Sequence, residues 1–492
     1  MAQVKIDLDR TIGDVDRRIF GSFVEHLGRC IYGGVFEPGS PRSDERGFRR
    51  DVLDAARGLR IPLLRWPGGN FVSAYRWTDG VGPVERRPRR RELAWDAEEP
   101  NTFGTDEFLA YCRELGAEPY ICLNMGTGTL AEALAWVEYC NGDGDTEWAN
   151  LRRRNGHEEP YGVRYWGLGN EMYGEWQIGH LSADEYVRAA QRWAAALRRM
   201  DPDIRLVSCG QDGVSDWDRA VIDGLVRYVD HHSIHLYTGS PDYWSNVLGP
   251  HYAERALRVT AALIERARHL QRTEREVTVA YDEWNVWFRT RRPHRDGLEE
   301  RYSLGDALAV ATFLNVFLRN SRTVRIANQA QLVNAIAPIL TEGSRILLQT
   351  IYHPFQLFAE HTEALALDPH VECRSVTHED VPGAPWPHRI ADMGPFGVLD
   401  VAATRDRDRR RATVTIVNRD PEAAADVSVA LAGAVAEAAA AYVVGGASPD
   451  DRNTFEAPDT VSVRRAGADV ADGKVRVQLP PHSFTCLTLG LR

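Results

Sequence analysis

Eight short runs of β-branched and aromatic residues recur along the chain, each followed by a longer amphipathic stretch. They are Phe20–Val24, Pro62–Trp66, Tyr120–Leu123, Arg164–Leu168, Arg205–Cys209, Ser233–Leu236, Val277–Tyr281 and Val324–Ala327. Most are almost continuously apolar, as parallel strands buried on both faces must be. The stretches between them carry a helical period. The one from Ser182 to Met200 opens on an S-x-x-E capping box formed by Ser182 and Glu185. Another runs from about Glu254 to Leu270. Eight β-then-α units predict an α/β fold, a (β/α)8 or TIM barrel. A doubly wound open sheet shares this rhythm and is the alternative.

After about residue 365 the pattern changes to short alternating segments: Val398–Ala402, Ala412–Val417, Val427–Leu431, Val461–Arg464, Val475–Leu479 and Phe484–Leu489. Pro- and Gly-rich turns separate them, notably Val381–Pro387. This predicts a C-terminal antiparallel β-sandwich, jelly-roll-like. Val4–Leu8 alternates too and is expected to pair into the same sandwich. The expected division is a barrel over 15–365 and a sandwich from 1–14 plus 366–492.

Composition narrows the partners. The 492 residues carry 59 basic and 70 acidic side chains, a net charge of −11, which disfavours nucleic acid. The run Arg86–Arg91 has no interleaved aromatics and reads as a solvated loop. Seven sparse cysteines without CxxC spacing fit a reducing compartment. The N-terminus MAQVKIDLDR has neither the basic nor the apolar region of a secretory leader. No stretch approaches the length of a membrane span. A cytoplasmic protein is the expectation.

In a parallel barrel, reactive groups gather at the C-terminal strand ends. Glu171 follows the fourth strand in Gly167-Leu-Gly-Asn-Glu-Met-Tyr-Gly, and Glu283 follows the seventh in Asp282-Glu-Trp-Asn. Those strands lie across the barrel mouth from each other. Two carboxyls facing over a bound sugar are the equipment of glycoside hydrolysis: one protonates the leaving oxygen, the other attacks carbon or activates water. Single strand-end acids more often cap helices or pair with arginine, but both of these sit among Trp, Tyr and Asn. Trp95, Trp176, Trp284, Trp287, Tyr173 and Tyr237 all fall in βα loops or at strand ends, where rings can stack on sugar faces.

Two other signals are weaker. Gly126-Thr-Gly-Thr-Leu-Ala131 fits a dinucleotide fingerprint, but no second strand ending in an acid follows, so it reads as a tight βα turn. His231 and His235 share a strand face while His232 points away, with no third metal ligand in evidence. Neither a cofactor nor a metal is expected.

These motifs resemble glycoside hydrolase family 51 α-L-arabinofuranosidases. The matching segments, in order, are Gly21–Gly34, Arg65-Trp-Pro-Gly-Gly-Asn-Phe, Asn101–Phe108, Gly167–Gly174, His235-Leu-Tyr, Asp282–Trp287, Ala330–Ile339 and Pro481-His-Ser-Phe. The resemblance implies Glu171 as general acid/base and Glu283 as nucleophile. It implies that Glu25, Asn70, Asn170 and Gln331 hold furanose hydroxyls, that Tyr237 bonds the nucleophile, and that Trp95 and Trp287 wall the pocket. Arg65 would lie beneath as a positive neighbour of Glu283, with His235 supporting.

Such an enzyme is retaining and exo-acting, and trims arabinofuranosyl groups from arabinan- and arabinoxylan-derived oligosaccharides. Glu283 must be anionic and Glu171 protonated, so the pKa of Glu171 is expected to be raised. Carboxyls about 5–5.5 Å apart are expected. The resemblance also implies a homohexamer. Other retaining activities on this scaffold (β-xylosidase, endo-glucanase) and a non-catalytic sugar-binding barrel are the alternatives. The basic stretch Phe288–Glu300 looks shorter than the family's usual loop there and bears on leaving-group preference.

Overall fold

The computed structural model describes residues 2–288, 298–381 and 389–492. Eight parallel strands close in chain order into a barrel. They are β1 (Gly21–Phe23), β2 (Leu63–Trp66), β3 (Glu118–Leu123), β4 (Tyr165–Leu168), β5 (Arg205–Ser208), β6 (His231–Thr238), β7 (Thr278–Val286) and β8 (Val324–Ala330). β8 pairs with β1 through Asn328–Ala330 and Gly21–Phe23, which excludes the open sheet. β6, β7 and β8 continue past the apolar runs into polar residues. Their C-terminal halves are buried because they line the barrel mouth.

Leu63, Tyr120, Tyr165, Val207, Ala280 and Ile326 form one apolar layer that fills the barrel's N-terminal half. The outer faces pack on helices. The helix Ala183–Met200 is capped by Ser182 and Glu185, and buries Tyr186, Ala190, Trp193, Ala194 and Leu197, a helical stripe. The helix Leu304–Arg319 is buried almost all round, because it lies between barrel and sandwich.

Two sheets form the sandwich. The seven-stranded one includes Leu399–Arg405, Arg411–Asn418, Ala436–Gly445 and Ser483–Leu491. Its barrel-facing side packs Phe484 on Phe358, with ring centroids 5.1 Å apart. The N-terminal strand Ala2–Asp7 joins the five-stranded sheet, but it runs parallel to Ala425–Ala432. The sandwich is therefore not purely antiparallel: a strand from a chain end is free of hairpin constraints. The first part of Ala436–Gly445 carries little strand signal, since it is mostly alanine, which has low β-propensity. Pairing on both sides overrides that.

Several expectations change. Arg87 is not solvated: its side chain is 4% exposed, and it forms a two-bond pair with Glu107. The rest of that run follows the surface-loop reading, with Arg89, Arg90 and Arg91 exposed beside Glu98, Asp79 and Asp96. In the Gly126–Gly128 turn, Asn124 Oδ1 accepts from three successive N–H groups, so the donors a phosphate would need are engaged. The Pro-rich turn after Val381 and most of the basic stretch after Phe288 lie outside the described residues. All seven cysteines are free. Among the described residues no helix is long and apolar enough to cross a membrane.

Candidate active site

The site begins with a break in strand alternation. Between Tyr281 and Trp284, β7 advances three residues while β8 advances two, from Ala327 to Gln329. The extra residue is a β-bulge, which re-aims side chains. It turns both Asp282 and Glu283 into the barrel and sends Trp284 outward onto Phe313 and Phe317. Trp284 is thus a core residue, not part of the pocket.

Glu283 is fixed from two sides. Arg65 Nη1 donates to Oε1 at 2.7 Å and Tyr237 OH to Oε2 at 2.8 Å. The other Arg65 nitrogen, Nη2, donates to Asn170 Oδ1 at 2.6 Å. One guanidinium therefore ties the end of β7 to the loop that carries Glu171. Burial and these phenol–carboxylate contacts push the Tyr237 hydroxyl well above its ordinary pKa, so it stays a donor.

Glu171 lies just past β4 with φ 44°, a left-handed conformation that side chains other than glycine rarely adopt. Tyr173 OH and Trp176 Nε1 each donate to its carboxylate at 3.2 Å. Its Oε1 lies 3.0 Å from His235 Nδ1. One oxygen of Glu171, one of Glu283 and a ring nitrogen of His235 all fall within 4.8 Å of one another. That spacing fits direct attack by one carboxylate, whereas inverting enzymes leave room for a water between the two.

The expected rise in the pKa of Glu171 is not what the structure has. Burial does push the carboxyl up, but the hydrogen bond and charge of His235 outweigh it and hold it below the usual range. For His235, burial favours the neutral ring. The charge of Glu283 and the hydrogen bonds to Asp282 and Glu171 overcome that and raise it to about 10.

Opposite these groups lies a polar floor. Glu25 accepts from Phe71 N, Trp95 Nε1 and Gln331 Nε2, each at 3.0 Å. Gly69 explains the Pro-Gly-Gly motif: a Cβ there would stand within 2.3 Å of Glu25 Oε2, and its φ is +30°. Asn70 accepts from Asn170 at 3.4 Å. Trp95 sits between the strands of a hairpin, Arg90–Glu92 and Ala97–Glu99, and its backbone N–H donates to Glu92. Trp287 packs edge-on to Tyr237, with centroids 5.2 Å apart.

Burial, then the charge of Glu283, pushes Glu25 up to about 8. Between its ordinary value and that one, the folded chain holds a proton that the unfolded chain has released. Its contribution to stability is therefore present at low pH and is lost as pH rises toward 8. Glu25→Gln removes this dependence. In urea titrations, the stability of the variant relative to wild type should rise steadily from pH 5 to pH 8; a constant difference would contradict the assignment.

Nine of the eleven residues to which the resemblance gives a role line one cavity of about 610 Å³: Glu25, Asn70, Trp95, Glu171, His235, Tyr237, Glu283, Trp287 and Gln331. Arg65 and Asn170 lie behind it, in contact with the lining. The sequence reading gave no role to Asp282. Fully buried, it accepts from Tyr120 OH at 2.7 Å and from Ser233 Oγ, and lies 3.1 Å from His235 Nε2 and 3.5 Å from Arg65 Nε. Burial would raise its pKa, but Arg65 and His235 hold it far below the carboxylate range. Two adjacent acids on a barrel strand were the available signal, since strict alternation would put one of them among the outer helices.

Among the described residues, Glu171, His235 and Glu283 are the group close enough to share a metal ion. Arg65 and His235 already set positive charge against these carboxylates, and the geometry reads as a proton-handling site.

A family profile described as the α-L-arabinofuranosidase C-terminal domain matches residues 282–483, and one described as the α-L-arabinofuranosidase 1 domain matches residues 55–251. The chain is 46% identical to a probable α-L-arabinofuranosidase C of Aspergillus clavatus over 81% of this chain and 83% of that one. It is 40% identical to an intracellular exo-α-(1→5)-L-arabinofuranosidase 1 of Bacillus subtilis, over 77% and 80%. Its fold is similar to the crystal structure of the Thermotoga maritima α-L-arabinofuranosidase in its arabinose complex, with a TM-score of 0.91 and 41% identity over the whole of both chains.

Proposed function

The chain belongs to the glycoside hydrolase family 51 α-L-arabinofuranosidases, and on that premise we propose how it works and on what. Glu171 is the general acid/base and Glu283 the nucleophile of a double displacement that releases terminal α-L-arabinofuranosyl groups. The observation that carries this reading is the close approach of the two carboxylates at the edge of one cavity. Glu283 attacks the anomeric carbon as the aglycone oxygen takes a proton from Glu171. A glycosyl ester forms, and Glu171 then draws a proton from the water that hydrolyses it.

Glu25, Asn70 and Gln331 offer donors and acceptors to the ring hydroxyls, with Asn170 joining them from behind through Asn70, and Trp95 and Trp287 form the walls. The polar floor suits a furanose ring, and the exo-acting relative supports exo action on oligosaccharides derived from arabinan and arabinoxylan. Exposed Trp176, beside Glu171, lies on the leaving-group side.

A panel of 4-nitrophenyl glycosides tests the specificity. Turnover of the α-L-arabinofuranoside should exceed that of the β-xyloside and β-glucoside by at least about 100-fold, since a site that hydrogen-bonds each hydroxyl rejects a wrong ring strongly. Comparable rates on the xyloside would overturn it.

Sparse free cysteines and the intracellular relative support a cytoplasmic enzyme. The family resemblance supports a homohexamer, and light scattering would read six copies of the 55.2 kDa chain.

A further inference from the structure

Glu171, placed to act as the acid, has a ring nitrogen of His235 within hydrogen-bond reach. His235 is gripped at both ring nitrogens by carboxylates: Nδ1 lies 3.0 Å from Glu171 Oε1 and Nε2 lies 3.1 Å from Asp282 Oδ1. We propose that the proton delivered by Glu171 is stored on His235 Nδ1, and that Asp282 is the positioning residue that keeps it there. This rests on the acid/base reading of Glu171 given above.

The surroundings of the ring support a cation. Glu283 Oε2 lies 3.6 Å from Nδ1. Three carboxylates therefore face the imidazole, two from β7 and one from the end of β4. Against them stands Arg65 of β2, which contacts Asp282 and Glu283. The remaining titratable neighbours are neutral donors: Tyr120 on Asp282, Tyr173 on Glu171 and Tyr237 on Glu283. The other donor to Asp282 is Ser233 Oγ. With these donors on Asp282, its carboxylate has every reason to stay anionic and to hold the Nε2 proton. That fixes the ring so that Nδ1–H points at Glu171.

The transfer balances. The Nδ1–H bond breaks and leaves its electron pair on the ring, while an O–H bond forms on Glu171. That O–H then breaks as the aglycone oxygen takes the proton, together with the electrons of the C–O bond that Glu283 displaces. Esterification removes the charge of Glu283 just as the proton must leave, and so weakens the hold of His235 on it. In the second half, water gives its proton to Glu171. Release of Glu283 as a carboxylate restores the field that returns the proton to the ring.

Two measurements decide. In wild-type enzyme, the ring ¹⁵N resonances of His235 should report an imidazolium at pH 7 that loses its charge only well above pH 8; a neutral ring at pH 7 would overturn the proposal without any variant. In Asp282→Asn, the basic limb of kcat/KM should move toward lower pH by about one unit or more. Its loss of rate should be about tenfold or greater on 4-nitrophenyl arabinofuranoside, and within about threefold on the 2,4-dinitrophenyl compound, which needs little protonation. A uniform loss on both substrates with an unmoved pH profile would reduce Asp282 to a structural role and contradict the proposal. Glu171→Ala separates the two readings. If it keeps the leaving-group signature of a lost acid while Asp282→Asn does not shift the limb, proton storage fails and the acid/base assignment stands.

Discussion

Glu283→Gly is expected to lower turnover of an aryl arabinofuranoside by about 10⁴-fold or more, equivalent to ~5.5 kcal/mol of barrier. The size follows from what is removed. The carboxylate supplies the bond to the anomeric carbon, and Arg65 and Tyr237 are both aimed at it. Glycine leaves a small void beside that cation. Azide can enter there and attack carbon from the vacated face, so added azide should restore part of the rate. The product should be the β-azide, with configuration inverted. A variant that keeps wild-type turnover would remove Glu283 from the reaction, and an α-azide would mean that attack comes from the other face.

Glu171→Ala should produce a different signature. On substrates with poor leaving groups, kcat/KM should fall by about 10²–10⁴-fold, the usual worth of a positioned acid. On 2,4-dinitrophenyl arabinofuranoside the first step needs little help, so kcat/KM should change only slightly. Hydrolysis of the ester still lacks its base, so kcat should fall and KM should fall with it. Azide needs no base and should rescue this variant too, but it attacks the ester and gives the α-azide. The two variants thus give opposite azide anomers, a contrast that general loss of folding cannot produce.

The barrel was legible because most of its strands contain an apolar run, and an apolar run buried on both faces reads the same in sequence and in structure. The carboxylates were legible because Glu171 and Glu283 close such runs amid Trp, Tyr and Asn. What sequence could not show was direction. The bulge that turns Asp282 and Glu283 to the same side depends on the register between β7 and its neighbours, and that is set by the closed barrel. Under strict alternation Asp282 and Trp284 share one face and Glu283 takes the other, so only the bulge brings both acids inward and sends Trp284 out. The charge state of Glu171 was misread for a related reason. Its burial was foreseeable, but the imidazole that outweighs burial comes from β6 and meets it only in three dimensions. Ala436–Gly445 was lost because its strand character lies in its neighbours rather than in its alanines.

All of this depends on Glu283 forming a bond to the sugar while Glu171 handles the proton. Glu171→Ala incubated with 2,4-dinitrophenyl α-L-arabinofuranoside should accumulate the covalent intermediate, and mass spectrometry of its peptides should find one pentosyl unit esterified to Glu283. A pentosyl unit on any other residue, or release of dinitrophenol with no enzyme-bound sugar at any time, would contradict the account.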